Sequence, residues 1–149
     1  MVTNAETINS LNRLLQGEYM AVESFNNFIA KLDDDRVKQQ FQEIQQQHRD
    51  NINTLATYIQ NIGGRPEENL GLKGTMGQMK LSMDLGRKTG AAELIAKAIE
   101  GETQGVNMAE KILRGNLDDK SRDIAGEILH KDRAAIEKLN KLKNKFSYN

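Results

Sequence analysis

Residues 11–25 read LNRLLQGEYMAVESF, and residues 95–109, displaced by 84 positions, read IAKAIEGETQGVNMA. Both stretches place apolar side chains three and four apart, the period of one face of an α-helix. The ungapped displacement brings Leu11 onto Ile95, Leu15 onto Ile99, Gly17 onto Gly101, Glu18 onto Glu102 and Val22 onto Val106. It continues with Phe28 on Ile112, Asp34 on Asp118, Ile44 on Ile128, Arg49 on Arg133, Ile52 on Ile136 and Leu55 on Leu139. One helical hairpin is therefore written twice, and two such hairpins make a four-helix bundle with pseudo-twofold symmetry.

Working outward, the first helix spans 3–32, with Thr3 and Glu6 at capping-box spacing. Asp33, Asp34 and Asp35 break it and cap a second helix over 34–62. Gly63, Gly64 and Pro66 end that helix. A third helix covers 90–114, stopped at Gly115, and a fourth, capped by Asp118 or Asp119, covers 118–144. The short breaks make two antiparallel hairpins. Residues 63–89 are too many for a tight turn and suit a long crossover. Met76, Met79 and Met83, with Leu72 nearby, suggest a short helix there that packs on the bundle or forms a homodimer surface. The expected architecture is all-α and ferritin-like, a bundle with one long crossover, as a single domain over 1–149.

Composition removes several function classes. The chain has 149 residues, with 21 basic and 21 acidic side chains and no net charge. A nucleic-acid binder working through phosphates needs a basic excess, and a polybasic membrane-surface protein needs the same. There is no cysteine, which excludes disulfides, thiolate zinc sites, iron–sulfur clusters and thiol nucleophiles. That absence fits a cytoplasmic setting. No apolar run approaches the roughly 18 residues of a membrane span. The polar N-terminus enters the helical pattern at once and does not read as a signal peptide. With two histidines and no serine beside His48, no hydrolase triad is offered. Gly71, Gly74 and Gly77 follow no strand and precede no Walker lysine pattern.

The polar residues that interrupt the apolar stripes carry the chemistry. Glu18 lies a heptad from Leu11 and from Phe25, Glu102 a heptad from Ile95 and from Ala109, and His48 a heptad from Phe41 and from Leu55. A buried carboxylate without a partner is costly, so each needs company. Counted from the hairpin turns, all three fall at one level of the bundle, and a partner on the fourth helix should fall near 130–132. Carboxylates and imidazole at one level suit iron, manganese or zinc. The same set could equally form a metal-free hydrogen-bonded core with His48 as an imidazolium.

LNRLLQGEYMAVESF resembles the first metal-binding helix of ferritin-like proteins of the bacterioferritin and rubrerythrin type, and AIEGETQGVNMAEKIL (98–113) resembles their third. The resemblance implies a di-iron site with one Glu from each of two helices and Glu-x-x-His from each of the other two. Glu18 and Glu102 match the single glutamates, and His48 the histidine of the second helix. Gln45 stands where the second helix should supply its glutamate. Glu127 and His130 spell the motif of the fourth helix.

Two registers compete on that helix. Spelling selects Glu127 and His130. Periodicity puts His130 roughly 150° from the centre of the apolar stripe at ~100° per residue. The repeat pairs His48 with Asp132, which does lie in the stripe. Burial favours the Asp132 register, because turning Glu127 and His130 inward exposes Ile128, Leu139 and Leu142 at about 1.5–3 kcal/mol each. The resemblance implies binding of iron or manganese, with iron oxidation or peroxide and oxygen chemistry. The other class it allows is a metal-poor bundle acting as a structural or interaction protein of stress or spore-coat type.

Overall fold

The computed structural model describes residues 3–68 and 90–147. The expected crossover helix and the dimer surface at Met76, Met79 and Met83 lie outside the described residues. Four helices make up the described chain: α1 (Asn4–Lys31), α2 (Asp35–Asn61), α3 (Ala91–Leu113) and α4 (Asp119–Ser147). The last runs beyond residue 144, so that Phe146 still packs on the bundle.

Local chemistry sets the ends. The Thr3 hydroxyl accepts from Glu6 N–H and the Glu6 carboxylate accepts from Thr3 N–H, the reciprocal pair of a capping box. Asp34 accepts from the backbone N–H groups of Arg36 and Val37 and starts α2. Asp118 accepts from Ser121 N–H at 2.7 Å and from the Tyr58 hydroxyl, joining the start of α4 to α2. Arg122 donates to the carbonyls of Leu113 and Gly115 and ties the α3–α4 turn together.

The chain leaving α2 is fastened to α1. Asn12 donates to Arg65 C=O and accepts from Glu67 N–H, and Gln16 donates to Glu67 C=O. Gly63, at φ +85°, makes the left-handed turn that permits this path. Gly64 then passes so close to α1 that a Cβ would sit 2.8 Å from Ile8 and 2.9 Å from Ile59.

The core is divided in two. At one end Leu11, Leu15, Leu55, Ile59, Val106, Ile112 and Ile128 pack together. At the other Phe25, Phe28, Val37, Phe41, Ile95, Ala135 and Leu139 do the same. Each helix contributes to both clusters, and each changes from one to the other near residues 18, 48, 102 and 132 respectively. The polar level that the heptad breaks predict is therefore a layer sandwiched between two apolar cores.

Gly64→Ala should lower stability by about 1–3 kcal/mol through overpacking against Ile8 and Ile59. Gly126→Ala in α4, where a Cβ meets nothing within 4 Å, should instead raise it by about 0.5–1 kcal/mol through helix propensity. Denaturant unfolding followed by circular dichroism reads both signs.

Candidate metal centre

Four side chains meet in the middle layer, one from each helix: Glu18, His48, Glu102 and Asp132, at 5%, 2%, 4% and 5% exposure. His48 Nδ1 lies 2.7 Å from Glu18 Oε2, and Nε2 lies 2.5 Å from Glu102 Oε1. Asp132 Oδ1 is 3.9 Å from Nδ1, on the same side of the ring as Glu18. Asn51, one turn beyond His48 on α2, donates to the other oxygen of Glu18 at 2.6 Å. Phe25 lies beside the imidazole, with ring centroids 6.0 Å apart.

The electrostatics follow from this packing. Burial by itself disfavours a charged imidazole, but the charges of Glu18 and Glu102, with their hydrogen bonds, outweigh it. The His48 pKa is held well above its ordinary value. For Asp132, burial and then repulsion from Glu18 raise the carboxyl to about 8, with His48 pulling the other way. Among the described residues Asp132 accepts no hydrogen bond; its only ion pair is the long one to His48.

Glu18, His48 and Asp132 can each offer one ligand atom with all three atoms within 4.8 Å of one another. Two carboxylate oxygens and an imidazole nitrogen are a donor set that suits a first-row divalent ion. Glu102 occupies the opposite ring nitrogen, the position from which a carboxylate orients a ligating imidazole. A second ion finds less. Gln45, standing where the di-iron pattern has a carboxylate, donates to Val22 C=O and Asn26 Oδ1, and its own oxygen accepts from Arg49. The amide is buried and committed to its neighbours.

Glu127 and His130 do not join the cluster. Both are exposed on the outer face of α4, and Glu127 sits 3.9 Å from Lys131. The reason is burial: Ile128, Leu129, Leu139 and Leu142 occupy the inner face and bring Asp132 with them. Asn51 has no counterpart in the sequence reading. Its signal was available, as a polar residue three positions after His48 and four before Leu55.

A family model described as a domain of unknown function, DUF2383, matches residues 6–115. The chain belongs to the DUF2383 family. The matched stretch carries Glu18, His48 and Glu102, while Asp132 lies past its end. No curated protein matches this DUF2383 chain. Solved structures do resemble it. A dodecameric thioferritin of Bacteroides fragilis, described as bacterioferritin-related, superposes with a TM-score of 0.81 at 18% identity, over 99% of this chain and 89% of that one. Ferritin-like, diiron-carboxylate proteins from Bacillus anthracis give 0.72 at 19% identity, over 96% and 99%. A two-domain protein of Anabaena variabilis, with DJ-1/ThiJ/PfpI-like and ferritin-like domains, gives 0.80 at 20% identity, over 98% of this chain and 38% of that one. This DUF2383 chain thus spans little more than a third of the Anabaena protein. Its fold is that of the ferritin-like four-helix bundles. Among the described residues no helix is long and apolar enough to cross a membrane.

The two raised pKa values have the same sign for stability. The folded, metal-free chain holds protons that the unfolded chain releases, from near pH 4 upward for Asp132 and from near 6.5 for His48. The Asp132 contribution is complete below its unfolded value and is lost as pH rises through about 8. The His48 contribution is complete below 6.5 and is lost at still higher pH, through its raised folded value. Melting temperature of the metal-free protein should therefore fall between pH 6 and pH 9, and fall less steeply in Asp132→Asn.

Proposed function

We propose that residues 1–149 act as one ferritin-like domain that holds a single divalent ion in its middle layer. The ligands are His48 through Nδ1, Glu18 and Asp132, with Glu102 fixing the other ring nitrogen. The observation that carries this reading is the convergence of three donor atoms within 4.8 Å in a buried layer supplied by all four helices. Gln45 supports one ion rather than two, since its amide is tied to Val22, Asn26 and Arg49. Iron is the ion we favour, with manganese as the alternative; the Bacillus anthracis neighbour is described as diiron-carboxylate.

When bound, ferrous iron supplies one-electron chemistry toward oxygen or peroxide. The chain's own residues orient and seclude the site. Glu102 holds the imidazole plane, Asn51 holds Glu18, and Phe25 shields one side of the ring. With this reading goes a role in oxidant or iron handling in a cytoplasmic setting.

A second reading is favoured by one observation: both ring nitrogens of His48 already meet carboxylates, at 2.7 and 2.5 Å. Such a network can stand as a metal-free core in a structural or interaction protein. Elemental analysis after aerobic ferrous loading and desalting separates the two. The metal reading expects about one iron per chain, lost in His48→Ala and Asp132→Asn and retained in Glu127→Ala and His130→Ala. Essentially no metal in a folded protein overturns it, and two irons per chain overturn the single-ion form. In either case metal-free His48→Ala should lose about 3–5 kcal/mol of stability, because it strands two buried carboxylates.

A further inference from the structure

The buried layer has an opening. A cavity of ≈ 50 Å³, partly open to solvent, lies along the seam between α1 and α3, and all four cluster residues line it. These four are buried, whereas Gly17, Ala21 and Ser24 of α1 and Gly101 and Gly105 of α3 also line it and are only half-buried. The polar cluster therefore forms the floor and the small residues form the rim. The two apolar clusters cover the layer from both ends. On the α2 side Gln45 and Asn51 are held by hydrogen bonds to α1 side chains and backbone.

One detail points to a ligand rather than to packing. Asp132 is buried, lines the cavity, and accepts no hydrogen bond among the described residues. Gly105 lies inside a helix, where glycine is less favourable than alanine, yet a Cβ there would meet nothing within 4 Å. No neighbouring atom requires that glycine, and a large side chain there would cover the rim. Gly126 is equally free of neighbours but does not line the cavity, and it serves as a control.

We propose that the α1–α3 seam is the entry port through which metal aqua-ions reach the site. At roughly 10–15 Å³ for each water, ≈ 50 Å³ holds about three to five waters. An ion that sheds part of its hydration shell fits this space. The proposal rests on the metal-binding reading for its solute, and on the cavity alone for its path.

The test has two arms. In the first, Co²⁺ is mixed with metal-free protein and its visible absorbance is followed by stopped flow. Gly105→Leu and Ala21→Leu should slow entry by about tenfold or more, since entry must wait for a side chain to move, with the final amplitude unchanged. Gly126→Leu should match the parent. In the second arm, xenon is added to metal-free protein and methyl resonances are followed by NMR. Shifts are expected at Met108, Leu14 and Ile128 and should vanish in Gly105→Leu. Unchanged Co²⁺ rates in both rim variants, or no xenon shift in the parent, overturn the port. Xenon entry that Gly105→Leu blocks, in a protein that binds no Co²⁺, supports the port and overturns the metal-binding reading instead.

Discussion

An imidazole clamped between two buried carboxylates is the constraint around which the bundle is arranged. His48 meets Glu18 on one ring nitrogen and Glu102 on the other, so α2 is pinned to α1 and α3 at a single level. Charges without partners are intolerable in that position, and the surrounding structure is ordered accordingly. Asn51 satisfies the remaining oxygen of Glu18, and Asp132 completes the layer from α4, its carboxyl pKa raised to about 8 by burial and by the charge of Glu18. The two apolar clusters then fill the space above and below. Their side chains supply most of the buried apolar area, but it is the polar layer that sets the vertical register of the four helices.

The pseudo-twofold relation gives this layer its composition. Glu18 and Glu102 are equivalent under the 84-residue displacement, and so are His48 and Asp132. The symmetry is broken on one pair only, with imidazole on one hairpin and carboxylate on the other. The result is a mixed polar layer in which the imidazole meets Glu102 on one side and Glu18 and Asp132 on the other.

Most of the fold was legible because helical periodicity and heptad breaks are local signals. The repeat identified the bundle, and the positions of Glu18, His48 and Glu102 within their stripes identified the layer. The fourth helix was harder, because a short motif spelled by Glu127 and His130 competed with burial. Burial decided it, as a summed effect of several aliphatic residues outweighs a two-residue match. What the sequence did not disclose was interaction between side chains and backbone at a distance. The fastening of Asn12 to Arg65 and Glu67, the commitment of Gln45 to Val22, and the cavity along the seam all depend on how helices meet. Such contacts leave no period in the sequence.

The division of the interior into two cores has a consequence for how this sequence can change. Every helix threads both cores and the layer between them, at about 100° of rotation per residue. Removing one residue near the centre of any helix would turn its outer half by that angle, swinging one core's side chains toward water while the other stayed in place. Length changes within the helices are then admissible only in steps near a heptad, which restore the facing. Drift in length is left to the turns and to the long connection between the hairpins. Each helix is in this sense a ruler with a fixed zero, and the zero is the residue it places in the middle layer.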